Sequence, residues 1–98
     1  MTGPQSTSDS RTTGAAASFE QGFAFLQSGQ LAEARKIYED ILRVQPEHAD
    51  ALNLLGVIFF QLGDARRAVD LIGKAIQIHP NNADYLCNHG IVQAALGQ

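Results

Sequence analysis

The chain has 98 residues, with seven Lys and Arg against ten Asp and Glu for a formal net charge of −3. That leaves room for one small domain and lacks the basic excess that phosphate binding requires, so no nucleic-acid partner is expected. A single cysteine, Cys87, excludes an internal disulfide, and no Cys/His cluster has zinc-ligand spacing.

Residues 1–14 are rich in Ser, Thr and Gly, with Met1 as the one large apolar side chain, and such a stretch cannot offset its ordering entropy. A disordered leader is the expectation there. From Ala15 the pattern turns helical: Phe19, Phe23 and Leu26 recur at steps of four and three, and Ser28-Gly29 ends the helix. A second helix is predicted over Leu31 to Val44, with Ala34, Ile37, Tyr38, Ile41 and Leu42 inward and Pro46 closing it. Its outer face carries Arg35–Glu39, Lys36–Asp40 and Glu39–Arg43 at helical spacing, pairs worth only tenths of a kcal/mol each. A third helix, Ala49 to Leu62, is nearly all apolar, and Val57-Ile58-Phe59-Phe60 by itself suits a buried strand equally well. Gly63 then turns the chain, and Asp64 is placed to cap a fourth helix, Ala65 to Ile78, which buries Ala68, Val69, Leu71, Ile72, Ala75 and Ile76. Pro80-Asn81-Asn82 breaks the chain before a fifth helix, Ala83 to Leu96. The longest apolar run, Leu54 to Phe60, is far too short to span a bilayer, and no secretory signal is visible. The expected location is therefore cytoplasmic, with no membrane partner.

One offset organises these elements. In the window that holds Leu52, Leu55, Gly56 and Phe59, the residues Gly56, Phe59, Gly63, Ala68, Ile72, Ala75 and Pro80 have counterparts 34 residues earlier in Gly22, Phe25, Gly29, Ala34, Tyr38, Ile41 and Pro46, and Leu52, Gly56 and Gly63 have later ones in Leu86, Gly90 and Gly97. A fixed period of this length marks a helical repeat array, and it decides the ambiguous third segment as helix. The spacing L-x-x-L-G-x-x-F, then A-x-x-x-I, then P, resembles the tetratricopeptide repeat, with Leu52 where that family usually has Trp. The resemblance covers residues 15–98. It implies an all-α fold of antiparallel helix hairpins stacked as a short right-handed solenoid of about two and a half repeats and five helices. Repeat one is 15–48, repeat two 49–82, and 83–98 a half repeat.

Gly22/Ala34, Gly56/Ala68 and Gly90 are expected at the helix crossings, where small residues permit close approach. In the last helix His89 and Gln93 replace Leu55 and Phe59, whereas Tyr85, Val92 and Leu96 stay apolar toward the preceding repeat. That suits both a terminal cap and a longer array cut within a repeat.

The resemblance further implies that the first helix of each pair lines a concave groove. The residues mapping to that lining are Phe19, Phe23, Leu26, Asp50, Asn53, Val57, Phe60, Asp84, Cys87 and Ile91. None is basic: the Lys and Arg residues are Arg11 in the leader and Arg35, Lys36, Arg43, Arg66, Arg67 and Lys74 on the second helices. The Lys/Arg carboxylate clamp of the chaperone-binding branch is thus absent. Of the Asn ladder found before sugar-nucleotide transferase domains, only Asn88 is in register, with Glu20 and Leu54 at the matching places. The expected function is a non-catalytic protein-interaction module, whose groove takes an apolar or amphipathic segment of a partner protein or of a second copy of the chain. Its alternatives are the N-terminal repeat segment of a larger bacterial glycosyltransferase- or sulfotransferase-type enzyme, and a small chaperone. His48 and His79 sit in turns beside prolines, and His89 and Cys87, two apart on a helix, point in different directions, so no nucleophile pair, metal or cofactor is expected.

Overall fold

The computed structural model describes residues 18–97; the predicted leader, 1–14, lies outside them. Among the described residues five helices follow one another: α1, described over residues 18–27, α2 over Leu31–Val44, α3 over Ala49–Gln61, α4 over Ala65–Ile78 and α5 over Ala83–Leu96. There is no strand among the described residues. The third helix ends one residue before the expected Leu62, which caps it instead.

The two tight turns within the repeats share one hydrogen-bond pattern. Gly29 N–H donates to the Leu26 carbonyl and Gln30 N–H to that of Phe25; Gly63 N–H donates to the Phe60 carbonyl and Asp64 N–H to that of Phe59. This paired closure needs a left-handed residue just past the helix end. Gly29 at φ 81° and Gly63 at φ 92° provide it, and both have open space where a Cβ would be, so conformation rather than crowding selects glycine here. The turns between repeats end differently, on side-chain caps. His48 Nδ1 accepts from Ala51 N–H at 3.1 Å to start α3, and Asn82 Oδ1 accepts from Tyr85 N–H at 3.0 Å to start α5. Asp64 caps α4 as expected, accepting from Arg67 N–H at 3.1 Å.

His48 is therefore more than a solvated turn residue: besides capping α3, its ring stacks on Phe19 of α1 at 5.3 Å. His48→Ala should cost about 0.5–2 kcal/mol through the lost cap, and His48→Asn, which keeps an acceptor at this position, should lose less. Thermal unfolding followed by circular dichroism checks the order of the three proteins.

The helices pack as hairpins stacked on hairpins. Burial is heaviest along α3, which hides Ala51, Leu52, Leu55, Ile58 and Phe59 and even the amide of Asn53. It packs on α4, α2 and α5, which is why its sequence is apolar nearly all round. By contrast, α2 buries Ala34, Tyr38 and Ile41 and α4 buries Ala68, Ile72 and Ala75, one stripe each. On α2 the expected Arg35–Glu39 pair forms at 3.0 Å, but Arg43 reaches Asp40 rather than Glu39, whose carboxylate Arg35 already engages.

The small residues at the crossings do not all meet a neighbour. A Cβ on Gly22 would lie 2.9 Å from Tyr38 Cζ, and one on Gly56 would lie 2.6 Å from Ile72 Cγ1, whereas one on Gly90 would meet nothing within 4 Å. α5 buries Tyr85 and Val92 against the preceding repeat, but Leu96, expected beside them, is 38% exposed.

Candidate partner-binding face

The three first helices of the repeats, α1, α3 and α5, build the face on which the groove residues lie. Three side-chain contacts link them directly, and a fourth ties α1 to α2. Phe19 packs edge-on against Tyr38 at 5.5 Å as well as stacking on His48, which ties α1 to the start of α3. Between α3 and α5, the Tyr85 hydroxyl donates to the Asp50 carboxylate, and Asn88 Nδ2 donates to Asn53 Oδ1 at 3.2 Å.

The expected groove residues divide by burial. Phe19, Leu26 and Phe60 are half-buried and pack against the core, so much of their surface is spent holding the hairpins together. Asn53 is buried in its amide pair. Val57 is half-buried at the middle of the array. Phe23 on α1 is 42% exposed and Ile91 on α5 is 52% exposed, and Cys87 is an exposed free thiol. Phe23, Val57 and Ile91 occupy equivalent places in successive first helices, so each of the three helices carries an apolar residue at the same register. Seven residues before Val57 and Ile91 stand Asp50 and Asp84. Two helical turns bring them onto the same face about 10 Å toward the helix N-termini.

That N-terminal edge is polar. Between the two inter-repeat turns lies an open cleft of about 740 Å³ bordered by Glu47, His48, Asp50, His79, Asn82 and Tyr85, among others. Burial, and then the hydrogen bond to Asp50 and the nearby Asp84 charge, push the Tyr85 hydroxyl far up from its ordinary value, so it remains a neutral donor. The cleft's side chains do not converge further: among the described residues no three His, Cys, Asp or Glu side chains are placed to hold a metal ion. On the second helices, the guanidinium groups of Arg35 and Arg67 lie 4.8 Å and 5.2 Å from the centroid of the Phe59 ring.

The Asn53–Asn88 pair escaped sequence reasoning for a simple reason. Residues 34 apart are equivalent, but the side chains that touch across α3 and α5 are 35 apart, as are Asp50 and Tyr85. A search at the repeat period finds equivalence and passes over contact.

No helix among the described residues is long and apolar enough to cross a membrane. The chain is 33% identical over 61 residues to the uncharacterized protein ycf37 of Pyropia yezoensis, an overlap of 62% of this chain and 34% of that protein. It is 26% identical over 83 residues to the Photosystem I assembly protein Ycf3 of a strain of Prochlorococcus marinus, covering 82% of this chain and 48% of the relative. The chain thus spans between a third and a half of these relatives' length. Among solved structures, the crystal structure of MamA superposes with a TM-score of 0.77 at 22% identity over 85% of this chain and 48% of that one, a likeness of fold. The Tetratricopeptide repeat family model matches residues 19–83. With the repeat period, the hairpin stack and a family match over more than half its length, the chain belongs to the tetratricopeptide repeat family.

Proposed function

We propose that the face made by α1, α3 and α5 holds an apolar or amphipathic segment of another protein, and that the chain works as a non-catalytic interaction module. The observation that carries this reading is the row Phe23–Val57–Ile91, whose two outer members are 42% and 52% exposed. Three large apolar side chains aligned across separate helices offer a segment a continuous strip. A surface of this kind, rimmed by polar groups, marks an interaction site in soluble proteins. Likeness to a photosystem assembly protein supports the chaperone-like form of this reading, in which the strip shields an apolar part of a protein during assembly.

The test is capture of cross-linked partners by the wild-type chain and by Phe23→Ser/Ile91→Ser, both side chains being exposed enough that the fold should persist in circular dichroism. Affinity for the wild-type partner should fall about thirtyfold or more, since truncating two anchor residues at more than about 1 kcal/mol each removes over about 2 kcal/mol. Equal recovery by the two proteins would remove this face from the function.

A further inference from the structure

We infer that the segment seated on this face is cationic, carrying Lys or Arg along the edge that meets the N-terminal ends of α3 and α5. This rests on the groove reading above and deepens it by naming the partner's charge. The chain segregates its charges by helix type. Glu20, Glu47, Asp50 and Asp84 belong to α1, α3, α5 and the turn before α3, and residues 18–29, 45–63 and 79–97 hold no Lys or Arg. All the basic side chains of the described residues lie on α2 and α4. There the acids are largely compensated: Arg35 pairs with Glu39, Arg43 with Asp40 and Arg67 with Asp64. No such pair engages Glu20, Glu47, Asp50 or Asp84 among the described residues.

Neutralisation on one side and none on the other leaves the groove side with a negative potential that the modest net charge conceals. Asp50 and Asp84 also suit the first turns of their helices, where the dipole favours an anion, but that role leaves their charge free to act on a ligand. The spacing fits an amphipathic occupant. Each acid stands about 10 Å along its helix from an apolar row member, Asp50 from Val57 and Asp84 from Ile91, a gap that a long Lys or Arg side chain spans from a backbone resting on the row. The last turns of α3 and α5 carry no basic residue, so nothing on the opposite edge repels such a segment.

Two fluorescent amphipathic peptides with one shared Leu face test this, one flanked by Lys and the other by Glu, titrated against the full chain by anisotropy. At low salt the Lys peptide should bind about tenfold more tightly, and that preference should shrink several-fold as ionic strength rises and the Debye length falls. Glu47→Gln/Asp84→Asn should remove most of the preference; Asp50 is left intact because it holds Tyr85. Glu33→Gln/Asp70→Asn, which removes the same formal charge from the second helices, should leave the preference unchanged. Equal affinities for the two peptides, or equal losses in the two charge variants, would overturn the cationic assignment while leaving the groove reading standing. If Phe23→Ser/Ile91→Ser binds the Lys peptide as tightly as wild type, or if neither peptide binds, the groove reading itself falls and the assignment with it.

Discussion

Gly56→Leu should destabilise the chain by about 1–3 kcal/mol, and with it lower the thermal midpoint by roughly 4–8 °C per kcal/mol. The reason is the α3–α4 crossing. A first carbon at position 56 would already sit 2.6 Å from Ile72 Cγ1 and 3.1 Å from the Ala68 carbonyl oxygen. Ile72 is wholly buried and the Ala68 oxygen is helix backbone, so neither can step aside without moving α4. Leu adds three further carbons into the same space. Gly90 stands at the equivalent place in the next repeat, yet a Cβ there meets nothing within 4 Å. Gly90→Ala should therefore raise stability by about 1 kcal/mol, the ordinary gain of Ala over Gly inside a helix. Urea unfolding of the two variants beside wild type reads both signs. A Gly56→Leu chain as stable as wild type would show that the hairpin does not depend on close approach.

Tyr38→Ala should be the more damaging change, at about 3–5 kcal/mol, because it empties the space of a fully buried aromatic between α1 and α2. Phe19 and Gly22 both lean on this ring, and the hydroxyl donates to the Phe19 carbonyl at 3.3 Å, so α1 should loosen first. Tyr38→Phe keeps the ring and gives up one hydrogen bond, a loss of about 0.5–1.5 kcal/mol. The two tyrosines should also make the fold less stable at alkaline pH. Burial pushes the Tyr38 hydroxyl up to about 12 from its ordinary 10, and burial followed by Asp50 raises that of Tyr85 as well. Between these values the unfolded chain binds fewer protons than the folded one. The stabilisation is therefore whole below about pH 10 and is lost as pH rises through the folded value. Urea midpoints at about pH 8 and about pH 11 should fall steeply for wild type and less for Tyr38→Phe/Tyr85→Phe. Equal slopes would mean that other groups govern the alkaline loss.

The expected groove residues show how far helical period and repeat offset carry a functional reading. The row Phe23, Val57 and Ile91 is visible as three apolar positions, but whether each faces a partner or its own neighbours depends on what lies beside it. Phe19 looks in sequence like a second Phe23, one turn earlier, yet it is stacked on His48, whereas Cys87 at the place equivalent to Phe19 is exposed. His48 looks like an ordinary turn residue because nothing local announces that its Nδ1 will cap α3 while its ring meets α1.

What the amino-acid sequence determined by itself was the hairpin and its repetition. The bounds of α2, α4 and α5, the turn glycines and the Asp64 cap all follow from local conformational preference and from a period that the chain states more than once. Only the tertiary structure decided which small residue is crowded and which stands in the open, and that α3 and α5 join through Asn53 with Asn88 and Asp50 with Tyr85. The physical reason is that the repeat encodes equivalent environments within a hairpin. Contact between hairpins arises where inequivalent positions of neighbouring copies come face to face, and their distance in sequence carries no local signature.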